Sequence, residues 1–374
     1  MRIAHIAPPW LPIPPKDYGG TENVLFDLVE EQVAQGDDVT LFAPGDARTS
    51  AKLVSFLPCS LRPEGVPWTA NLKADYHLRR SLTTAETGGF DIVHTHLSVS
   101  TDLCLFPLLA EMATPHLTTL HSCFPFDHVP DWLGNADELY LQAWGDTVPI
   151  VTISEHARHK APAGAWIEGV VHNGLSLQRY MPASSRPNAY LVWLGRFTRE
   201  KGAHHAIKVA KQANIPLVLA GTIDRGIPQS VDYFHQHIEP HIDQQHILYI
   251  GSANTKQKIK LLTGALGLLN PITWEEPFGM VMIEAMALGC PVISFARGAA
   301  PELLIHEKTG FLVHTVDEMI QSIPSLAQID REVTRSHVES FFSARAMANN
   351  YARVYHRLLA TKKAYRRQRE KGMP

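Results

Sequence analysis

The sequence predicts an α/β protein built from two parallel-sheet domains. Three observations predict it. Short runs rich in β-branched and aliphatic residues recur along the chain, bounded by Gly, Pro, Asn and Asp clusters. Stretches with apolar residues at helical spacing alternate with those runs, as in strand–helix–strand units. The same plan begins again near residue 190, and 374 residues suffice for two halves that each bury a core.

Composition sets the outer limits. Hydrophobic residues make up 45% and charged residues 19%, ordinary values for a globular protein. The 34 basic residues nearly balance the 37 acidic ones, for a net charge of −3, so no general attraction to nucleic acid is implied. Cys59, Cys104, Cys123 and Cys290 are scattered without a C-x-x-C pair, which predicts reduced thiols in a cytoplasmic protein. The opening MRIAHIAPPWLPIPP is too broken by proline for a signal-peptide core. Without a run of 18 or more apolar residues, any membrane role is expected to be peripheral.

Arg2 to Ala7 reads as a buried first strand, followed by the loop PPWLPIPPKDYGG. A helix from Thr21 to Gln35 has Val24, Leu25, Leu28, Val29 and Val33 on its apolar stripe and ends at Gly36. Asp38 to Phe42 completes a strand–helix–strand unit, but G-x-G-x-x-G is absent, which disfavours a dinucleotide dehydrogenase. Buried strands are also expected at Phe90–His96, Pro115–Leu120 and Val148–Ser154. His94, His96 and His121 sit at strand ends, where ligands of such sheets bind. The H-T-H spacing puts His94 and His96 on one face of a strand. No further metal ligands stand beside them in sequence, so hydrogen-bonded histidines are the expectation there.

The Pro/Ser-rich stretch after Tyr180 reads as a linker, dividing a domain over 1–182 from one over 183–354. In the second half, strands are expected at Tyr190–Leu194, Ile215–Ala220, His246–Ile250 and Leu266–Leu269, with a helix over Ala206–Ala213. The loop G-R-F-T-R-E-K-G leaves the first of these strands at its carboxyl end. There the planar fork of Arg196 and the point charge of Lys201 suit a diphosphate. Downstream, PITWEEPFGMVMIEAMALGCPVISF holds Glu276 in a loop and Glu284 on a helix from about Gly279 to Leu288. Gly289 is expected in the left-handed conformation past the helix end, and Pro291–Phe295 forms a strand. At about 1.5 Å per residue, carboxylates eight positions apart on one helix lie about 12 Å apart, too far to share a proton. The N–H groups of Phe278, Gly279, Met280 and Val281 at the helix start form an anion site, and Gly279 allows close approach. A glutamate beside a helix start is, on the plainer reading, only a partner of the helix dipole.

These residues carry a resemblance. E-P-F-G-M-V-M-I-E-A-M-A-L-G-C-P-V-I resembles the E-x7-E signature of family 4 retaining glycosyltransferases, which have the GT-B architecture, and G-R-F-T-R-E-K-G matches the family's upstream motif. The resemblance implies two Rossmann-like domains facing across a cleft, with a C-terminal helix (about 355–374) crossing back to the N-terminal domain. It implies transfer of a sugar, with retention, from a nucleoside-diphosphate sugar (UDP-sugar favoured) to a carbohydrate or lipid-linked acceptor. Polysaccharide or glycolipid synthesis is the implied setting, with no cofactor. In that reading Glu276 holds sugar hydroxyls, Glu284 the ribose, and Arg196 and Lys201 the diphosphate. His121 touches the donor sugar, and the Gly19–Gly20 loop approaches it. Where the family often has Asn-Gly-x-Asp, this chain has Ser176, which leaves the role of that aspartate open.

No D-x-D triplet occurs, so metal independence is expected. The final segment reads as one long helix capped by Ser343. Its end carries Lys362, Lys363, Arg366, Arg367, Arg369 and Lys371, a basic tail suited to anionic lipid at the inner membrane or, on the plainer reading, a solvated terminus. Two rival functions fit the same motifs: a GT-B nucleotide-sugar epimerase, which needs no acceptor, and a non-catalytic nucleotide-sugar-binding scaffold.

Overall fold

A computed structural model describes residues 1–15, 19–68, 70–122, 124, 128–129, 132–133, 136–182 and 189–370, with backbone alone at 100–101, 128–129, 132–133, 136–137 and 361–370. The chain divides into two compact units, Met1–Gly174 with Ala344–Pro374, and Leu175–Ser343. This differs from the expected boundary near 182 and from a crossing helix that starts only at about 355. The reason is local: Leu175 donates its N–H to Phe342 at 3.0 Å and forms a parallel bridge with Ser343. The two chain crossings therefore run side by side at that point.

The first unit holds a seven-stranded parallel sheet. Its strands are β1 (Arg2–Ile6), β2 (Asp38–Phe42), β3 (Lys52–Val54), β4 (Ile92–Leu97), β5 (His116–Leu120), β6 (Ile150–Thr152) and β7 (Ile167–Val170). They are ordered β3-β2-β1-β4-β5-β6-β7. Helix α1 (Gly20–Ala34) covers this sheet with Val24, Leu25, Leu28 and Val29 buried. Gly36 at φ 91° stops the helix, and Asp37 N–H reaches back to the Gln32 carbonyl at 3.0 Å, closing the end as the sequence predicts.

The second unit repeats the plan with six parallel strands: β8 (Leu191–Arg196), β9 (Leu217–Thr222), β10 (Ile247–Tyr249), β11 (Gly267–Asn270), β12 (Val292–Phe295) and β13 (Gly310–Val313). Their order is β10-β9-β8-β11-β12-β13. Trp193, Phe197 and Phe234 pack together in its core with ring centroids 4.9 Å apart in each successive pair, the first tilted at 34° and the second edge-to-face at 74°. Burying rings of this size contributes on the order of 1.5–3 kcal/mol each. Both sheets reverse winding between their first and fourth strands. The carboxyl ends of β1 and β4, and of β8 and β11, are therefore the crevices where such sheets receive ligands.

The long helix α2 (Ala344–Glu370) belongs to the first unit. Tyr351 and Tyr355 are buried there, with hydroxyls on Thr119 (2.9 Å) and His94 (2.8 Å). Of the basic tail, Lys362, Lys363, Arg366, Arg367 and Arg369 fall on the backbone-only stretch, and Lys371 lies outside the described residues. No helix among the described residues is long and apolar enough to cross a membrane.

Two glycines set the loops over the second crevice. Gly202 (φ 72°) follows the β8 loop, where an added Cβ would collide with the Pro271 carbonyl oxygen. Gly298 (φ 56°) follows β12, where a Cβ would collide with the backbone N and O of Glu276. Gly298→Ala is therefore expected to destabilise the second unit by about 1–3 kcal/mol through a strained left-handed alanine, before the collision is counted. Thermal unfolding measures this, and an unchanged midpoint would refute the packing argument.

The first unit has the opposite character, with titratable groups in its interior. Burial pushes His5 and His77 down to about 4 and His121 to about 3, and drives His94 and His96 well below the usual range. The unfolded chain takes up protons near pH 6.5 while these rings stay neutral in the fold. Stability is thus full above about pH 6.5 and falls as pH drops toward the folded values, by about 1.4 kcal/mol per pH unit for each fully buried ring. His121 keeps a partly exposed edge and weighs less. Glu22 and Asp102, raised by burial to about 7 and about 6, act with the opposite sign, two groups against five. Melting curves between about pH 7.5 and about pH 4.5 should show steep loss on acidification, and a flat profile would contradict it.

Candidate functional site

At the β8/β11 crevice the chain brings two distant motifs into contact. Arg196 is the last residue of β8, and Lys201 stands in the short 3-10 turn Arg199–Lys201 that follows. Trp193 Nε1–H donates to the Lys201 carbonyl at 3.1 Å, which holds the backbone of that turn. Thr273 N–H donates to Glu200 O at 2.8 Å, tying the loop after β8 to the loop after β11. Lys201 Nζ then donates to Glu276 Oε2, and both side chains are only 15% exposed. A pair so largely withdrawn from solvent is screened little by salt.

Glu276 Oε2 also accepts from Trp274 Nε1 at 2.8 Å, and Lys201 Nζ lies 5.2 Å from the centroid of the same indole. One ring therefore faces both charges. The Glu276 carbonyl accepts from Ala299 N–H at 3.0 Å, and Glu275 Oε2 from Gly298 N–H at 2.9 Å. The carboxylate thus has a fixed backbone beneath it. Sequence reasoning missed Trp274 and Gly298. The adjacency of Trp274 to the Glu pair was an available signal, whereas Gly298 acts over 22 residues with none.

Helix α3 (Met280–Ala287) opens beside Glu276. Its first-turn flank is Gly279 at φ 97°, with no side chain capping the helix. At that φ a side chain is strained, so glycine suits the turn that presents the N–H groups near Phe278, Gly279, Met280 and Val281. Gly289 (φ 70°) ends the helix, and Cys290 N–H returns to the Ala285 carbonyl at 3.0 Å, as predicted. Glu276 lies outside the helix, so the axial spacing of a single helix does not describe the two glutamates.

Glu284 is buried on α3, and Tyr180 OH and Lys258 Nζ both donate to its Oε1, at 2.7 and 2.6 Å. Neither partner was foreseen. Tyr180 borders a stretch that reads as linker, and Lys258 stands on helix Thr255–Gly264 among Lys256 and Lys260, which resembles a solvated face.

Gly19, Gly20 and His121 lie on the first unit. Gly19 precedes α1, where an added Cβ would press on Pro15 and the Glu22 carboxylate, and Gly20 has open space in front of it. His121 follows β5, its N–H on the Leu97 carbonyl at 2.9 Å. His94 and His96 share one face with centroids 4.0 Å apart, and both are hydrogen-bonded as predicted. Ring nitrogens of His5, His94 and His96 gather within 4.8 Å. His5 Nδ1 and His96 Nε2 already bond each other at 2.9 Å, and His94 bonds Tyr355 and Thr119, so these nitrogens are paired within the protein.

Comparison with known proteins fits this arrangement. The family described as Glycosyltransferase Family 4 matches residues 18–179, and Glycosyl transferases group 1 matches residues 182–335. Spore coat protein SA of Bacillus subtilis is 22% identical over 95% of this chain and 99% of its own. A phosphatidyl-myo-inositol mannosyltransferase of Propionibacterium freudenreichii is 24% identical over 94% of this chain and 91% of its own. Among solved structures, sucrose-phosphate synthase of Thermosynechococcus elongatus superposes with a TM-score of 0.78 at 20% identity, covering 96% of this chain and 99% of that one. Anabaena HepE in complex with UDP gives a TM-score of 0.68 at 16% identity, over 94% and 99%. With one family description on each half and the GT-B fold throughout, the chain belongs to glycosyltransferase family 4.

Proposed function

We propose that this glycosyltransferase transfers a hexose, with retention, from a nucleoside-diphosphate sugar to a carbohydrate or lipid-linked acceptor in polysaccharide or glycolipid synthesis. The observation that carries the reading is the Lys201–Glu276 pair at the β8/β11 crevice, beside the uncapped start of α3. A cation, an anion and a helix N-terminus in one place match a ligand with a diphosphate next to a hydroxylated sugar. UDP is the favoured nucleotide, as in HepE, although another structure of the same fold was solved with ADP.

In this reading Lys201 and Arg196 receive the diphosphate and stabilise its charge as the anomeric carbon–oxygen bond breaks. Glu276 accepts from sugar hydroxyls, and Glu284 from the ribose. His121 and the Gly19–Gly20 loop attend the donor sugar. The acceptor hydroxyl forms the new bond on the face that the diphosphate leaves, and its proton passes to the departing phosphate oxygen. The cationic residues and the helix start supply the charge that a D-x-D-bound metal supplies elsewhere, which gives a metal-independent reaction.

A thermal-shift panel of UDP-, GDP- and ADP-sugars, each with and without EDTA, tests the donor. A ligand at about 100 times its dissociation constant raises stability by about 2.7 kcal/mol. One nucleotide class should stabilise equally in both conditions. No response to any donor would sink the transferase reading and the nucleotide-sugar-binding scaffold alike, stabilisation without turnover would favour the scaffold, and loss with EDTA would sink metal independence. Free isomerised sugar without acceptor would instead identify an epimerase. Glu276→Ala should lower turnover about 10- to 100-fold, the worth of a hydrogen bond to a charged group, while nucleotide affinity persists. Steady-state kinetics beside nucleotide titration checks this, and normal turnover would displace Glu276 from the site.

A further inference from the structure

We propose that a buried hydrogen-bonded relay, Gln32–His5–His96–His121, holds His121 as its Nε2–H tautomer, so that a bare Nδ1 lone pair stands at the end of β5. Gln32, His5 and His96 are then positioning residues for the His121 ring. The proposal deepens the transferase reading, on which only its consequence for the sugar rests.

The relay steps across three neighbouring strands. Gln32 on α1 places Oε1 at 2.7 Å from His5 Nε2 on β1. His5 Nδ1 lies 2.9 Å from His96 Nε2 on β4, and His96 Nδ1 lies 3.1 Å from His121 Nε2 beyond β5. Gln32, His5 and His96 are buried, and the rings of His5–His96 and His96–His121 stack at 28° and 26°. No charged side chain takes part in these bonds.

The direction of every bond follows from the first. An amide oxygen only accepts, so His5 carries its proton on Nε2. A neutral imidazole has one proton, so His5 Nδ1 accepts and His96 must donate from Nε2. By the same step His96 Nδ1 accepts and His121 donates from Nε2. The rings stay neutral because burial disfavours their charged form. That leaves Nδ1 of His121 as a lone pair, without a partner among the described residues.

A second branch leaves the same amide and is consistent with its orientation. Gln32 Nε2 lies 3.3 Å from Tyr355 OH, which is 2.8 Å from His94 Nδ1, and His94 Nε2 is 2.7 Å from Thr119 Oγ1. With the amide nitrogen donating to Tyr355, the tyrosine donates to His94 and His94 to Thr119, so each group meets a complementary one. The opposite amide orientation would invert both branches and turn His121 Nδ1 into a donor.

The consequence is selectivity by hydrogen-bond polarity. A lone pair welcomes a sugar hydroxyl, which can donate, and repels a carboxylate, which can only accept. A donor sugar with a hydroxyl facing His121 is accepted, and a uronate with its carboxylate there is refused.

Long-range proton–nitrogen correlation spectra of the free full-length protein, labelled with 15N-histidine near about pH 7.5, read the tautomers directly. His121→Gln assigns the signal by its loss. The expected result is one His121 species, protonated at Nε2 and unprotonated at Nδ1. An Nδ1–H species, or a mixture of tautomers, overturns the proposal. Gln32→Met, remote from His121, should replace the single tautomer by a mixture, and an unchanged His121 spectrum in that variant also overturns it. If Gln32→Met does not fold, the wild-type spectrum alone decides. No donor is present in the measurement, so failure of the transferase reading leaves its outcome unaffected.

Discussion

The second unit depends on how closely two loops can approach above one crevice. The turn after β8 and the segment leading to α3 meet where Gly202 has no room for a methyl group, and Gly298 supports Glu276 from the far side under the same restriction. Only at that separation does the Lys201 ammonium reach the Glu276 carboxylate. Trp274 then bridges them, its N–H on the anion and its ring near the cation. Withdrawing such a pair from water is costly unless each charge keeps its partner. A polar ligand that separated them would have to supply replacements, and a diphosphate beside a polyol offers an anion for one and hydroxyls for the other.

Much of this was legible in the sequence because it is local. Gly36 and Gly289 end their helices where the periodicity stops, and each expected strand falls within about two residues of its run, whereas β3, β7 and β13 went unread. Glu276, Glu284, Arg196 and Lys201 stand out through the resemblance of their two motifs to family 4, not through spacing alone. What stayed hidden depends on strand order, which the sequence does not spell out. His5 sits in an apolar run, 91 positions from His96, yet β1 and β4 are neighbours and their side chains touch. Lys258 looks like one of several surface lysines until helix packing brings it to Glu284. The Pro/Ser-rich stretch marks where the two family matches meet, near residue 180, whereas the compact units part a few residues earlier, where Leu175 pairs with Ser343.

The two units solve the interior problem differently. The second is filled by Trp193, Phe197, Phe234 and aliphatic neighbours, which pack mainly by shape, with the Trp193 N–H satisfied by the Lys201 carbonyl. The first threads imidazoles, an amide, a threonine and two tyrosines between α1, its sheet and α2, where each donor must meet an acceptor. Such an interior gains little over an apolar one, but it tolerates few alternative arrangements. It therefore defines ring orientations that greasy packing would leave loose.

The adjacent crossings at Leu175 and Ser343 make the second unit an insertion within the first. During synthesis, residues 175–343, which hold every strand of the second sheet, emerge from the ribosome before α2 of the first unit does. Until Tyr351 and Tyr355 emerge, Thr119 and His94 have no hydroxyls to meet, and the α2-facing side of that core stays open. The half that begins first is thus finished last. A nascent chain would carry a folded second unit while its opening half waits for the last helix.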